Sequence, residues 1–135
     1  MTDEVLEIVN LYKQFERYQE YADSALISHI LPSLALNQYK VHKDEEVFGF
    51  VNWALLNEDQ EKTLLTTHTI PNDQWLSGDR VWIIDILATK NMPLVADRTK
   101  AFFTQLLGCN QKVKWLRFKD DKIVHKQVTT KRHFV

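Results

Sequence analysis

The chain has 135 residues, of which 44% are hydrophobic and 11% aromatic, enough for one domain with a substantial core. Its 17 basic and 18 acidic residues give a net charge of −1, which argues against general binding of nucleic acid, because such binding usually needs a basic face. A single cysteine excludes an internal disulfide, and no apolar run approaches the roughly 20 residues of a transmembrane helix. The acidic start lacks the basic residues of a signal peptide, so we expect a cytoplasmic protein.

Two helices are predicted at the start of the chain. Residues 3–17 carry an apolar stripe at helical spacing, made of Val5, Ile8, Val9, Tyr12 and Phe15. A second helix is predicted to follow an N-cap at Asp23 or Ser24, and Pro32 either kinks it or limits its hydrogen bonding. His29 lies beside the apolar stripe of this second helix, where a lone histidine is more often structural than catalytic.

A β-hairpin is predicted next. Residues 38–42 alternate as a first strand, and residues 47–56 form a long second strand after a charged turn. Gly49 in the second strand indicates a bulge or the close approach of another segment. The polar residues 57–62 predict a short helix that leads into the next loop.

The stretch from Trp75 to Ala88 organises the rest of the chain. Turn residues 77–79, whose glycine is free to adopt a positive φ, precede an apolar run that starts at Val81 and predicts a buried central strand. Asp85 interrupts this run, and a carboxylate there must be paired, protonated or functional, because burying a bare charge costs too much. Asp85 therefore either belongs to a functional site or accepts hydrogen bonds from a neighbouring loop.

A helix and a second hairpin are predicted after the central strand. Pro93 stands near the start of a helix over residues 94–107, and Gly108 is a natural cap at its end. Strands are predicted over residues 112–118 and 122–128, joined by a short turn. The order of elements predicts that the whole chain forms one α+β domain with a mostly antiparallel sheet flanked by helices.

Three blocks of the sequence resemble the RTX toxin-activating lysine acyltransferases, the HlyC-like enzymes that fatty-acylate internal lysines of pore-forming protoxins. The blocks are Asn37-Gln38-Tyr39, Trp53-Ala54-Leu55, and the pattern that runs from Trp75 through Ser77-Gly78-Asp79-Arg80 and Trp82 to Ile84-Asp85 and Ala88. They cover residues 26–90, and a weaker match continues to the C-terminus. The resemblance implies the acyl-CoA N-acyltransferase (GNAT) fold and an acyltransferase activity of the EC 2.3.1 type.

The resemblance also implies partners. In the family that the sequence resembles, the acyl donor is an acyl carrier protein thioester rather than free coenzyme A. The acceptor is a target protein with lysine side chains. Residues 89–93 agree with such a donor, because they lack a glycine-rich cradle for the phosphates of coenzyme A. No bound cofactor is expected, and a homodimer is a further candidate assembly.

The resemblance implies a catalytic pair made of a histidine near the N-terminus and the aspartate of the central strand. Asp85 matches the aspartate. Counted back without gaps from Ile30, the histidine position falls at Tyr18, whereas His29 lies eleven residues later. The site has either been rebuilt around another base, or it has lost its activity.

Three assignments of the base follow. A base is needed because a lysine amine with a pKa near 10.4 is almost fully protonated at neutral pH. Asp85 could act alone, with its pKa raised by the apolar strand, or His29 could reach the site from its helix. Tyr18 could donate a hydrogen bond but is a poor base at neutral pH.

Further candidates have both a functional and a structural interpretation. Arg80 either contacts the donor or orients the Asp85 loop, or else it forms an ordinary ion pair. Trp53 lines an acyl channel or belongs to the core, and Asn37 is grouped with the acyl-binding candidates. Cys109 follows a helix C-terminus, where the dipole disfavours a thiolate, so we do not predict it to be a nucleophile. No metal site is predicted.

The leading hypothesis is therefore a lysine acyltransferase that uses an acyl carrier protein thioester. The alternative is a catalytically inactive module of the same fold that binds acyl carrier protein or another protein. A small-molecule N-acyltransferase is a weaker third hypothesis, because the sequence shows no cradle for coenzyme A.

Overall fold

The computed structural model describes residues 3–119 and 122–130. The helices are α1 (Asp3–Tyr12), α2 (Asp23–Ala35), α3 (Glu58–Thr67) and α4 (Met92–Leu107). The strands are β1 (Tyr39–Lys43), β2 (Val47–Leu56), β3 (Arg80–Ala88), β4 (Lys112–Lys119) and β5 (Lys122–Thr129). They form one sheet in the order β1-β2-β3-β4-β5, so the predicted central position of the Val81 to Ala88 run is confirmed. None of the helices in these ranges is long and apolar enough to cross a membrane.

The sheet is mixed rather than wholly antiparallel. Strands β1 and β2, β2 and β3, and β4 and β5 pair antiparallel, which confirms both predicted hairpins. Strands β3 and β4 pair in parallel, because α4 carries the chain back across the sheet between them.

The first helix is shorter than predicted. It ends at Tyr12, and a short 3-10 helix, Glu16–Tyr18, follows it, so the prediction of one helix over residues 3–17 is wrong. Phe15 has an extended backbone, with φ of −103° and ψ of 131°, yet its side chain packs against the same core as α1. The apolar periodicity therefore continues through a break in the helix. After the break, the centroids of the Tyr18 and Tyr12 rings lie 5.0 Å apart.

The helices cover both faces of the sheet. Along β2, Phe50 packs with α1 and α2, and Ala54 packs with α3, whereas Val51 and Trp53 pack with α4 on the opposite face. Because both faces of β2 are covered, its sequence is almost continuously apolar rather than alternating.

A β-bulge in β3 decides which face Asp85 occupies. Asn52 pairs with Asp85, but the next residue, Trp53, pairs with Ile83, so Ile84 is an extra residue in β3. The Ile84 side chain packs in the cluster under α3, and strict alternation would turn the next side chain towards α4. The bulge instead turns Asp85 to the side of α1 and α2, where it meets residues of both helices.

Strands β3 and β4 diverge halfway along their length. Their parallel pairing runs from Val81–Val113 to Ile83–Trp115 and stops there in the described strands. Beyond this point β3 continues beside β2, while β4 continues beside β5. The divergence leaves an opening in the sheet next to Asp85.

Two glycines mark close approaches between segments. A Cβ at Gly78 would lie 2.5 Å from the backbone nitrogen of Asn57, so this residue must be small, and the positive φ predicted for it is not observed. A Cβ at Gly49 would lie 2.9 Å from the side chain of Val95, which confirms the predicted close approach, here by α4.

Candidate functional site

The carboxylate of Asp85 is the centre of a polar cluster, and its side chain is only 10% exposed. Its Oδ2 atom lies 2.6 Å from His29 Nε2 on α2 and accepts a 2.6 Å hydrogen bond from the Tyr12 hydroxyl at the end of α1. Its Oδ1 atom accepts a 3.2 Å hydrogen bond from the Tyr18 hydroxyl on the 3-10 helix. Three separate segments therefore converge on one carboxylate.

His29 is the exposed member of this cluster, with 39% of its side chain accessible. Its Nε2 atom faces the carboxylate, so when the ring is neutral and Nε2 carries the proton, Nδ1 holds the free lone pair. The hydrogen bond to Asp85 raises the pKa of His29 above its ordinary value and outweighs the opposite effect of burial. The ring is therefore oriented and made more basic by one neighbour.

The partners of Asp85 keep its carboxylate ionised. Burial alone would raise the pKa of Asp85, but the hydrogen bond and charge of His29, with the hydroxyls of Tyr12 and Tyr18, hold that pKa below its ordinary value. The assignment in which Asp85 acts alone with a raised pKa does not agree with this direction. Burial, with the charge of Asp85, raises the pKa of both tyrosines, so their hydroxyls remain protonated donors.

A buried bridge of side chains joins the bulge to the helix that carries His29. The Asn52 side chain is fully buried on β2, and its Oδ1 atom accepts a 2.8 Å hydrogen bond from the backbone N–H of Asp85. Its Nδ2 atom donates to Ser33 Oγ at 3.0 Å, and that hydroxyl donates to the carbonyl of Ile30 at 2.8 Å. The bridge therefore sets α2 and β3 at a fixed separation.

An open pocket of about 560 Å³ lies beside the cluster, at the opening between β3 and β4. Asp85 and Tyr18 line it together with apolar residues of both strands, and Arg17 and Arg117 add two basic side chains. A smaller space of about 80 Å³ touches His29, Asp85 and Tyr18. A substrate in the larger pocket would therefore lie next to the carboxylate and Tyr18, while His29 borders the smaller space.

The other predicted site residues lie elsewhere. The Nη1 atom of Arg80 pairs with Glu61 of α3 at 2.8 Å, and Trp53 is 3% exposed and packs against aromatic residues of α4 on the opposite face. Asn37 is exposed and follows α2 in a left-handed conformation, with φ of 55°. The structure thus brings together Asp85, His29 and Tyr18, and it does not bring Arg80, Trp53 or Asn37 to them.

Sequence reasoning did not identify Tyr12, Ser33 or Asn52 as members of this site. Tyr12 falls on the apolar stripe of α1 and was assigned to the core. Asn52 did leave a signal, because it carries the one amide side chain in the ten residues of β2, where the other side chains are aliphatic or aromatic. A lone amide in a buried strand needs partners on both sides, and here it has them.

The cluster has the arrangement of an oriented general base. A histidine hydrogen-bonded to a buried carboxylate can take up a proton at its outer nitrogen, while the carboxylate stabilises the imidazolium that forms. The described residues contain no group of three or more histidine, cysteine, aspartate or glutamate side chains that could hold a metal ion. The arrangement of His29 and Asp85 is suited to proton transfer.

Comparison with known proteins supports the resemblance found in the sequence. Residues 2–131 match the model of the RTX toxin acyltransferase family. The RTX-I toxin-activating lysine-acyltransferase ApxIC of Actinobacillus pleuropneumoniae is 36% identical over 84 residues, which cover 61% of this chain and 49% of that protein. The leukotoxin-activating lysine-acyltransferase LktC of a Pasteurella haemolytica-like strain (5943B) is 27% identical over 127 residues, 87% of this chain and 76% of that one.

A third relative is the uncharacterized protein sll0720 of a Synechocystis strain, which is 31% identical over 86 residues, 61% of this chain and 58% of that protein. The chain thus spans about half the length of two of these three relatives. The family model, in contrast, matches nearly all of this chain. The chain belongs to the RTX toxin acyltransferase family.

Proposed function

We propose that this protein is a lysine acyltransferase that moves a fatty acyl group from an acyl carrier protein thioester to a lysine amine of a target protein. The observation that carries the proposal is the 2.6 Å separation between His29 Nε2 and Asp85 Oδ2 beside an open pocket. Family membership supports the reaction type, because relatives of this chain are named as toxin-activating lysine acyltransferases. The mixed sheet that opens between β3 and β4 supports an acyl-CoA N-acyltransferase type of fold.

In this proposal His29 is the general base. After the acceptor ammonium has lost one proton to solvent, the Nδ1 atom of His29 takes a second proton from the amine nitrogen as that nitrogen attacks, while the Nε2–H stays bonded to Asp85. The amine nitrogen attacks the thioester carbonyl, a C–N bond forms and the C–S bond breaks. The imidazolium then returns its proton to the departing thiolate. The products are an amide on the target lysine and a free thiol on the carrier protein.

The opening in the sheet provides a place for the reacting carbonyl. Beyond Ile83, β4 offers no ladder partner to the backbone of β3 within the described strands. Backbone N–H groups on that side of β3 can therefore donate to the oxygen that becomes negative in the transition state. Preorganised donors of this kind stabilise the developing charge without reorganisation at the moment of reaction.

The proposed base, His29, lies on α2, whereas the position that ungapped counting indicates lies on the 3-10 helix. Counting places the base at Tyr18, whose hydroxyl reaches one oxygen of Asp85, while His29 reaches the other. Because both positions contact the same carboxylate, a base from either segment satisfies the geometry. Tyr18 in this chain then acts as a donor that helps to hold Asp85 in place.

The test is acyl transfer from acyl-loaded carrier protein to a lysine-containing segment of an RTX protoxin, followed by intact mass. We expect a mass increase of one acyl group with the wild type, and a loss of about 10²- to 10⁴-fold in kcat/KM for His29→Gln and for Asp85→Asn. His125→Gln and Asp73→Asn are matched controls, because both residues are exposed and line neither pocket beside Asp85.

Thermal melting of each variant separates a loss of activity from a loss of fold. Wild-type rates in folded His29→Gln and Asp85→Asn would contradict the assigned base. If the wild type binds the acyl-loaded carrier but transfers nothing to any protoxin segment, the catalytically inactive binding module is the correct description.

A further inference from the structure

A second cavity, of about 300 Å³, lies on the face of the sheet opposite to His29. It is bounded by α4 and by strands β3, β4 and β5, and its apolar wall includes Ile83, Ile86, Ala96, Phe103, Val113 and Trp115. Several of its lining residues on α4 and β5 are exposed, so the cavity is open to solvent and can admit a ligand.

The polar side chains in the wall of this cavity already have partners. The hydroxyl of Thr99 donates to the carbonyl of Val95 at 2.7 Å. The hydroxyl of Thr130 donates to the carbonyl of Gly108 at 2.7 Å and accepts from the backbone N–H of Gln111 at 2.9 Å. Two charged residues of the wall, on α4, are themselves exposed to solvent. The interior therefore offers an occupant apolar contact and few free hydrogen-bonding groups.

The cavity shares part of its wall with the pocket beside Asp85. Three side chains, Ile83, Ile86 and Trp115, line both spaces, although the two spaces lie on opposite faces of the sheet. This sharing is possible because the pairing of β3 with β4 ends at Ile83 and Trp115. Ile86 follows Asp85 in the chain, so the shared wall lies next to the carboxylate.

We infer that this cavity holds the hydrocarbon chain of the acyl donor, which crosses the sheet through the opening while its thioester carbonyl stays beside His29 and Asp85. The inference rests on the proposed function and adds where the chain lies and what limits its length. An unbranched apolar chain suits a wall that is mostly apolar, and it is narrow enough to pass between two strands. Short acyl groups stop at the opening and gain nothing from the cavity.

The test uses two alanines of α4 as a matched pair. Both alanines are exposed on the same helix, but only Ala96 lines the cavity and Ala101 does not. We expect Ala96→Phe to lower the ratio of hexadecanoyl to butanoyl transfer by about tenfold or more, because its ring fills the space for the distal methylenes. Ala101→Phe should leave this ratio at the wild-type value. An unchanged ratio in folded Ala96→Phe would overturn the inference.

A second pair on β5 covers the case in which Ala96→Phe does not fold. Val128 lines the cavity and Val124 does not, and the two are 39% and 40% exposed. Val128→Phe is expected to lower the same ratio, and Val124→Phe to leave it unchanged. A ratio that falls equally in both variants would contradict the cavity as the chain site.

A binding measurement separates this inference from the proposed function. The probe is cis-parinaric acid, a fatty acid whose fluorescence rises in an apolar site. Wild type and Ala101→Phe should bind it equally, and Ala96→Phe about tenfold more weakly. If this pattern holds while no variant transfers acyl groups, the proposed function is wrong and the cavity stands. If the wild type transfers acyl groups but Ala96→Phe binds the probe as the wild type does, the cavity inference is wrong.

Discussion

Asp85 is a charge held inside an apolar strand by its partners, not by protonation. The sequence left three options for it, namely pairing, protonation or function. The structure supplies the pairing, with His29 at 2.6 Å and two tyrosine hydroxyls, and these partners hold the pKa of Asp85 below its ordinary value although burial would raise it. A buried carboxylate with this many donors stabilises a positive charge on the adjacent ring.

The pH dependence of the rate should report the pKa of His29. A base works in its neutral form, and the hydrogen bond from His29 to Asp85 raises the pKa of His29 above its ordinary value of 6.5. We therefore expect kcat/KM to rise with pH through a midpoint above 6.5. A pH series measured with the wild type and Asp73→Asn should show this limb in both. A midpoint below the ordinary value, or a rate independent of pH, would contradict the assignment.

The residues that the sequence could not assign are those whose role depends on distant partners. Asp85 was identifiable because a carboxylate in an apolar run is unusual. Tyr12 was not, because a tyrosine on an apolar stripe is equally consistent with a core residue, and its partner lies 73 positions away. His29 and Tyr18 could be proposed only as alternatives, since the sequence does not determine how a helix packs on a sheet.

The bulge at Ile84 is the feature of β3 on which the site depends. One extra residue reverses the alternation of side chains, so Asp85 follows Ile84 onto the same side of the sheet. At the bulge, the backbone N–H of Asp85 donates its hydrogen bond to the side chain of Asn52. Periodicity in the sequence predicted the strand but could not reveal the bulge, because Ile84 is as apolar as its neighbours.

Asn52→Ala tests the bridge between β3 and α2. We expect it to lower the free energy of unfolding by about 1–3 kcal/mol, because the backbone N–H of Asp85 and the hydroxyl of Ser33 lose a buried partner. It should also lower kcat, because the separation of His29 and Asp85 is no longer fixed. Urea denaturation and transfer rates measure the two effects. Asn72→Ala, in an exposed loop, is the control, and wild-type stability in Asn52→Ala would show that the bridge is dispensable.

At the scale of elements, local signals were sufficient for most boundaries. The bounds of β2 agree with the prediction, whereas the N-cap of α2 is Ala22 and not Asp23 or Ser24, so the helix begins at Asp23. The error in α1 has a physical cause, because Phe15 keeps its place in the core while its backbone leaves the helix. Side-chain periodicity reports which residues face the core, and it does not report every change of backbone.

The carboxylate of Glu61 on α3 links β3 to β4 in the part of the sheet where these two strands pair, away from the opening between them. This carboxylate pairs with Arg80 of β3 at 2.8 Å and with Lys114 of β4 at 3.0 Å, and it accepts a 2.8 Å hydrogen bond from Trp82 Nε1. Burial would raise the pKa of Glu61, but these partners hold it below the ordinary value. Because Glu61 holds β3 and β4 together where they pair, the two strands can diverge beyond Ile83 and Trp115 and still belong to one sheet.

Glu61→Gln should destabilise the whole molecule by about 1–3 kcal/mol at neutral pH, because two cations lose a largely buried partner. Glu58→Gln is the matched control on the same helix, and its 63% exposed side chain should contribute less than about 1 kcal/mol. Because the pKa of Glu61 is lowered by folding, its contribution is present above the ordinary pKa and is lost as the pH falls through the folded-state value. Urea unfolding at neutral and acidic pH measures the free energy of unfolding of both variants. Equal values for the two variants would show that the contacts of Glu61 do not stabilise the protein.

The two parts of the proposed site come from different portions of the chain, and this has a consequence for folding. The side chains that bond Asp85 belong to residues 12–52, so the acid–base cluster is complete in sequence once β3 has been synthesised. The cavity needs Val128 and Thr130 as well, the latter just beyond the end of β5. During synthesis from the N-terminus, the residues that pair His29 with Asp85 therefore emerge before those that close the cavity around a hydrocarbon chain.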